Sequence, residues 1–550
     1  MAPFRDLIRP AAPTPAEIAN RSWIYVPYDR LTDRTGPLTE QPASETGIVL
    51  IESGAKGNRR PYHKKKLVLL LANMRHFALE QANRGCKVLY HLTGQTYGEA
   101  LLHLQQKHGL TEITVSDPAE RELRLDLALA QEQGLRLRIV PDTTWLSTPE
   151  DFAQVFGPYK AGRSYVMDRF YRHMRLQTNI LMEGIRPQGG KFSFDSENRK
   201  PFRDELPVPI PPEFPPNDLT QEVIELVEQH YAHHFGSLEN FNLPVTREQA
   251  EQQWQFALQR LLPFFGPFED AMRDDHLQLF HSRTSPLINL SRLLPADLIR
   301  DVEEAALRGA IPLPSAEGFI RQLLGWREFM RHLHRETDGY RLVQVPLESS
   351  SPANPPAPFA GAAPSALGAT LPLPAVYWGA KSGLHCIDTV VAQVIEEGWS
   401  HHITRLMVLS NLATLCGFSP RQLTDWFWIA YIDAYDWVVE TNVLGMATYA
   451  DGGLTATKPY VSGAAYIHRM SNYCGHCQYD AKRSTGAGSC PYTALYWTFL
   501  ERNEAALASN FRLQMPYATL HKKSAGELVQ LRARASEAIE QLKSLAYPKL

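Results

Sequence analysis

The sequence predicts an N-terminal α/β domain on a parallel sheet, joined to a large C-terminal all-helical domain. Three observations carry that prediction. Over the first 150 residues, short β-branched or apolar runs alternate with helical stretches. A segment rich in proline and charge follows at 186–220. Beyond about residue 220, apolar residues fall almost throughout on i, i+3, i+4 spacing, as in helices with one buried face.

The strand candidates are WIYVPY (23–28), GIVLIES (47–53), KVLYHLT (87–93), EITVSDP (112–118) and LRIVPD (137–142), each ending at turn residues. Helical patterns at 64–85, 98–110 and 120–135 separate them. Such alternation implies right-handed βαβ units and a parallel sheet. No GxGxxG is present, so the ordinary dinucleotide fingerprint is absent. In the second half, long helices are expected over 221–235, 247–266, 317–336, 388–417 and 419–439. The last opens with Ser419-Pro420, an N-cap followed by proline at the first helical position. The Pro/Ala/Ser tract 347–374 reads as a loop. The domain division expected is 1–150 (α/β), 151–235 (connector), 236–515 (all-α) and 516–550 (helical extension).

Composition excludes some classes. With 44% hydrophobic and 21% charged residues and a net charge of −3, the chain is ordinary for a globular protein and is no histone-like polycation. No apolar run approaches the roughly 18–20 residues that span a bilayer. The N-terminus lacks the apolar stretch of a secretory signal, so a cytoplasmic protein is expected. Its six cysteines are then metal ligands, catalytic or inert.

Four features carry chemistry. Seven of the ten tryptophans lie beyond residue 320, as Trp326, Trp378, Trp399, Trp426, Trp428, Trp437 and Trp497. Core packing accounts for most of them, and an electron path or a platform for flat rings is the alternative for a few. HSRTSPLINLS (281–291) places Ser282, Thr284 and Ser285 before an apolar helix, where hydroxyls and backbone N–H groups suit either phosphate or ordinary capping. WSHHITRL (399–406) carries His401 and His402, which on one helix point about 100° apart and so do not both face one pocket squarely. Cys474 and Cys477 are followed by Cys490, with Cys386 upstream at a helix start. Four thiolates suit zinc or a cubane iron–sulfur cluster, and spacing alone slightly favours zinc. Cys86 and Cys416 read as small hydrophobes.

Taken together, the stretches KKKLVLLLANMRHFA, FSFDSENRKPF, HSRTSPLINLS, EGFIRQLLGWREFMR, GWSHHITRLMVLSN, DAYDWVVETNVLGMATYADGG, TKPYVSGAAYIHRMSNYCGHCQYD and SCPYTALYW resemble the photolyase and cryptochrome superfamily. Within it they are most similar to the iron–sulfur bacterial cryptochromes and photolyases, the prokaryotic (6-4) photolyase group. The resemblance covers nearly the whole chain. It implies a Rossmann-like antenna domain binding a dimethyl-ribityl-lumazine, an all-helical domain binding FAD, and a [4Fe–4S] cluster on Cys386, Cys474, Cys477 and Cys490. The implied activity is light-dependent repair of (6-4) pyrimidine–pyrimidone lesions by electron transfer from photoexcited reduced FAD. The implied partner is UV-damaged DNA, with no membrane and a monomeric chain.

Residue roles follow from the same resemblance. Flavin contacts would come from Ser282, Thr284, Ser285, Asn289, Trp326, Arg405, Asp433, Glu440 and Asn442, with Arg405 and Asp433 as a charged pair at the ring. His402, supported by His401, would donate a proton to the lesion, in a cavity lined by Met446, Tyr460 and Tyr466. Trp426 and Trp378 would relay electrons. Glu52, His63, Lys64, Met74, Arg75 and Phe77 would form the antenna pocket, and Asp195 would help hold a divalent cation such as Mg2+. Lys458, His468, Arg469, Lys482 and Arg483 would meet DNA phosphates. Two departures stand out. Val439 occupies a place near flavin N5 where the group can carry an acidic residue, with Glu440 following. Phe427 stands after Trp426 where a tyrosine can occur. They keep a cryptochrome-type photoreceptor with the same cofactors in play as the alternative. A flavin-free zinc module for nucleic acid explains the cysteines but not the tryptophans.

Overall fold

The computed structural model describes residues 3–204, 206–348 and 360–548. Five strands form one parallel sheet: β1 (Ser22–Tyr25), β2 (Thr46–Ser53), β3 (Lys87–Thr93), β4 (Ile113–Ser116) and β5 (Leu137–Val140). Their order is β3-β2-β1-β4-β5, with Ile24 opposite Ile48, Ile48 opposite Val88 and Trp23 opposite Ile113. The apolar runs predict these strands because a central parallel strand is covered on both faces, and β2 is buried along all eight residues. The helix Lys64–Arg84 starts on His63, whose Nδ1 accepts from Lys65 N at 3.1 Å, and stops at Gly85 in the left-handed region (φ 103). Tyr97–His108 opens with a Thr96/Glu99 capping box. The strand order reverses at β1, which puts a crevice beyond the carboxyl ends of the strands.

The stretch expected to be a connector holds three helices, Pro149–Phe156, Met167–Thr178 and Asp218–His230. Polar contacts tie the sheet domain to the helical half. Arg121 forks onto Asp338 at 2.6 and 2.9 Å, and Glu122 N donates to Asp436 at 3.1 Å. At the other end, Arg534 in the last helix, Ala525–Lys543, donates to Ser489 O at 3.0 Å, beside Cys490.

Two helices expected to be continuous are broken. The 388–417 pattern becomes His385–Glu397, closed by Gly398 (φ 62), and a second helical segment from His402 to Cys416. The 419–439 pattern becomes Pro420–Ala430 and Asp436–Val439, because Tyr431 turns extended. Ser419 caps its helix as expected, accepting from Gln422 N at 3.0 Å. Four segments of the helical half widen into π turns, Ala257–Leu261, Arg321–Arg327, Thr404–Ser410 and Glu440–Ala447. Such turns recur at functional sites. Of the 347–374 tract, residues 349–359 lie outside the described residues, and Leu371 bridges to Phe418. Among the described residues no helix is long and apolar enough to cross a membrane.

Candidate functional site

The last three of these π turns meet around one cavity of about 320 Å³. Arg321–Arg327 contributes Gln322, Leu323, Trp326 and Arg327. Thr404–Ser410 contributes Arg405, Leu406 and Ser410. Glu440–Ala447 contributes Asn442, Val443 and Ala447. The opposite wall is His281–Ser285, Ile288 and Asn289, and Trp399–His402, Phe427 and Val439 close the ring. Ser282, Thr284, Ser285, Asn289, Trp326, Arg405, Asp433, Asn442, His401 and His402 are thus brought together from segments 160 residues apart along the chain, as the resemblance implies.

A bidentate ion pair anchors the floor. Arg405 donates to Asp433 at 3.0 and 2.9 Å and to Ser400 O at 2.8 Å, with its guanidinium 4.1 Å from the Tyr431 ring. Ser285 Oγ donates to Asp433 at 2.6 Å, and Asn289 donates to the Asp433 carbonyl at 2.9 Å. Burial opposes the charged form of Asp433. The Arg405 charge and these hydrogen bonds outweigh it and hold the carboxyl below its usual range. Ser285 is therefore committed to Asp433, and its helix, Ser285–Asn289, is only five residues long. What remains for a phosphate is the Ser282/Thr284 pair, 2.7 Å apart.

Three imidazoles share the cavity. His401 precedes the helix that His402 begins, so the two adjacent histidines reach one pocket, against the expectation from helical geometry. His281, missed in the sequence although it opens the HSRTSPLINLS stretch, stacks on His401 at 4.4 Å and 12°. Burial, then neighbouring positive groups, lowers all three, His281 to about 3 and His402 to about 4. His402 is open to the cavity space yet surrounded by protein, so burial first and the nearby Arg405 charge second keep it low.

The structure corrects several assignments. Glu440 does not line the cavity. Its oxygens are 2.9 Å from His334 Nε2 and 2.8 Å from Arg421 Nη1, because the π turn faces it into that buried network, and Val439 takes the cavity position. Met446, Tyr460 and Tyr466 also lie outside the lining. Met446 is buried on the far side of the same turn, and Tyr466 donates to Asp270 at 3.1 Å. Tyr460 sits instead in the field of Arg512, Asp195 and Arg199. Of the electron-relay candidates, Trp426 lies 5.1 Å from Phe427 in the cavity wall and 5.2 Å from Tyr377, the chain neighbour of Trp378, while Trp378 itself packs on Tyr547 at 5.5 Å. Asp195 is bonded to Arg199 and lies 3.4 Å from Arg321, so two guanidinium groups already satisfy it and a cation there is disfavoured.

A second cavity lies at the end of the sheet, against Tyr28, Glu52, Lys66, Met74, Tyr97, Trp428 and Tyr435. Of the antenna candidates, Glu52 and Met74 line it. Arg75 grips Glu52 at 2.8 and 3.1 Å from outside it, His63 hydrogen-bonds Ile395 O, and Lys64 and Phe77 do not reach it. At about 50 Å³ it is far below the roughly 300–1,000 Å³ of small-molecule pockets, and the residues as arranged do not fit a ribityl-lumazine.

The four cysteines converge. Burial, then Cys490, Cys474 and Cys477, pushes the Cys386 thiol well up, and Cys474 and Cys490 rise to about 11 and about 12. Among the described residues, no three of these sulfurs fall within 4.8 Å of one another. A single tetrahedral zinc needs sulfurs about 3.8 Å apart. Of the phosphate-binding candidates, His468, Arg469, Lys482 and Arg483 are exposed. Burial, then Arg512 and Arg199, lowers Lys458, marking a cluster of like charges that an anion would relieve.

The family described as deoxyribodipyrimidine photo-lyase-related protein matches residues 24–243. A (6-4) photolyase from Agrobacterium fabrum is 37% identical over 521 residues, 94% of this chain and 98% of that protein. The chain belongs to the photolyase family. Its fold is shared with a class III photolyase from Agrobacterium tumefaciens (TM-score 0.53, 14% identity, 95% of this chain and 98% of that one). It is shared equally with a cryptochrome from Synechocystis (TM-score 0.56, 14% identity, 95% and 99%). Photolyases carry a flavin, and the large cavity fits one. It pairs flat apolar walls with the Arg405–Asp433 fork, and the buried Trp399 Nε1, His401 Nδ1 and His281 Nε2 have no hydrogen-bond partner in the protein.

Proposed function

We propose that this photolyase-family chain repairs (6-4) pyrimidine–pyrimidone lesions in UV-damaged DNA under light, with FAD in the large cavity and a [4Fe–4S] cluster on Cys386, Cys474, Cys477 and Cys490. One observation carries the reading: His401 and His402 line the same cavity as the Arg405–Asp433 fork. When bound, reduced FAD supplies the photoexcited electron that lesion repair borrows and returns.

The protein's own groups do the rest. A lesion inside a duplex is out of reach, so it must be flipped out, which is easiest for a damaged and poorly stacked site. Lys458, Arg199 and Arg512 offer positive charge for the flanking phosphates. At the cavity mouth His402 presents an imidazole, and protonated it is the acid for the rearranging lesion. Stacked His281 and His401 hold the wall behind it. Asp433 fixes Arg405, so that a guanidinium stays on the cavity floor. The four thiols interact with one another at one place in the helical half, and the resemblance to the iron–sulfur group favours the cluster over zinc there. Neither a lumazine antenna nor a Mg2+ ion on Asp195 enters this reading, since their residues do not fit them.

The test is blue-light repair of a synthetic (6-4) oligonucleotide by reduced protein. Restored thymines with wild type, and loss of repair in His402→Ala with flavin content kept, is the expected result. No light-dependent product from wild type would sink the repair claim. Val439 in the cavity wall favours the photoreceptor as second reading. A null repair result with reversible light-dependent change in flavin absorbance would select it.

A further inference from the structure

We propose that Asp274, His385 and His476 form a binding site for one divalent transition metal of the zinc class, separate from the four thiols. The ligand atoms are Asp274 Oδ2, His385 Nε2 and His476 Nδ1, all within 4.8 Å of one another. Oδ2 lies 3.0 Å from His385 Nε2 and 2.7 Å from His476 Nδ1. Neighbouring ligands on one tetrahedral zinc, bound at about 2.0–2.1 Å, stand about 3.3–3.4 Å apart. The three groups, now hydrogen-bonded, need open by only about half an ångström to receive a single ion.

They come from three different segments. Asp274 lies in the loop after the helix Leu262–Phe268, His385 is the first residue of His385–Glu397, and His476 follows the turn Tyr473–Gly475. The carboxylate is held in place from behind. Asn472 Nδ2 donates to Asp274 Oδ1, and Asp274 N donates to Asn472 Oδ1 at 3.0 Å. A hydrogen-bonded carboxylate is the usual support of a metal ligand. Both imidazoles aim at the same oxygen, Oδ2, while Oδ1 serves Asn472. Two imidazole nitrogens and one carboxylate suit zinc, nickel, cobalt or copper, whereas magnesium and calcium take oxygen ligands. His476 is 64% exposed and His385 32%, so an ion can enter from solvent and complete its shell with water.

The ion would clamp the turn bearing Cys474 and Cys477 to the helix bearing Cys386 and to the 272–275 loop. That clamp would act without using a thiol.

The test uses purified full-length protein with its iron retained, and zinc as the probe. Zinc-edge X-ray absorption at one equivalent is expected to show nitrogen and oxygen neighbours at about 2.0–2.1 Å, and a sulfur shell at about 2.3 Å would overturn the proposal. In competition with a chelating dye, His476→Ala is expected to weaken zinc at least tenfold, with iron and flavin content unchanged. Because His476 is exposed, that variant keeps the test usable even where His385→Ala or Asp274→Asn fails to fold. Equal zinc affinity in wild type and His476→Ala refutes the site. Cys490→Ser, which spares all three residues, is expected to keep the zinc. Loss of zinc there would place the ion on the thiols and overturn the proposal, whatever the outcome for the iron–sulfur cluster.

Discussion

Replacing Asp433 by asparagine removes one charge and keeps the shape. The carboxylate accepts two bonds from Arg405 and one from Ser285, at 3.0, 2.9 and 2.6 Å. Asparagine has one acceptor oxygen, so at least one charge-assisted bond is lost, about 1.5–3 kcal/mol. Arg405 is also left on the cavity floor without its counter-charge, and breaking a buried pair from one side costs about 3–5 kcal/mol in all. The Arg405 side chain is 20% exposed, so water recovers part of this, and about 3 kcal/mol is expected. Urea unfolding of wild type, Asp433→Asn, Arg405→Met and the double variant measures it. The pair should show a coupling energy above about 1.5 kcal/mol, since either single variant strands its partner. Additivity within about 0.5 kcal/mol would refute the reasoning. The sign with pH is set by the depressed carboxyl. Its stabilisation is present above the unfolded value of about 3.9 and lost as pH falls through the lower folded value, so the Asp433→Asn penalty should shrink in acid.

Three further outcomes follow from the same geometry. With His402 held at about 4, its protonated fraction rises about tenfold per pH unit on lowering pH from 7. Single-turnover repair of bound lesion should therefore accelerate toward acid, and a flat profile would remove His402 as the donor. Trp426→Phe breaks the path from Phe427 to Tyr377 and should slow photoreduction of the flavin at least tenfold, read by absorbance under blue light, with repair by chemically reduced protein retained. Glu440→Gln removes one of the two carboxylates on Arg421, which keeps Asp425 at 2.7 Å, and weakens the contact to His334, so it should destabilise the fold by about 1.5–3 kcal/mol in urea, with little change in the flavin absorption spectrum because the side chain faces away from the cavity.

The parallel sheet was readable because each buried strand is a short apolar run bounded by turn residues, a purely local signal. The breaks at Gly398 and Tyr431 were not, since the apolar spacing carries on across both. That spacing is also why His401 and His402 were expected to diverge. The Arg405–Asp433 fork joins residues 28 apart across one of these breaks, and resemblance, not periodicity, pointed to it. Glu440 went astray by a single position, since nothing local tells which way a π turn faces. The antenna side shows the same limit. The helix Lys64–Arg84 turns Lys66, Leu67, Leu70, Leu71 and Met74 to the cavity, a stripe legible at 3.6 spacing only once the wall it faces is known. The four cysteines were found by identity, whereas their convergence from residues 386 to 490 exists only in three dimensions.

The π turns make chain length a chemical variable. Each holds its wide turn with one residue more than an α-helix would use. Deleting a single residue from Thr404–Ser410 would let the backbone close as an ordinary helix with its hydrogen bonds intact. The wide turn is what absorbs the extra residue, so the helix on either side would keep close to its present facing while the side chains inside the turn were re-aimed. Arg405, inside that turn, would lose its alignment with Asp433 in a protein that still folds. A homologue lacking one residue there should keep the architecture and lose the cavity's chemistry, a difference that aligning residue types alone would overlook.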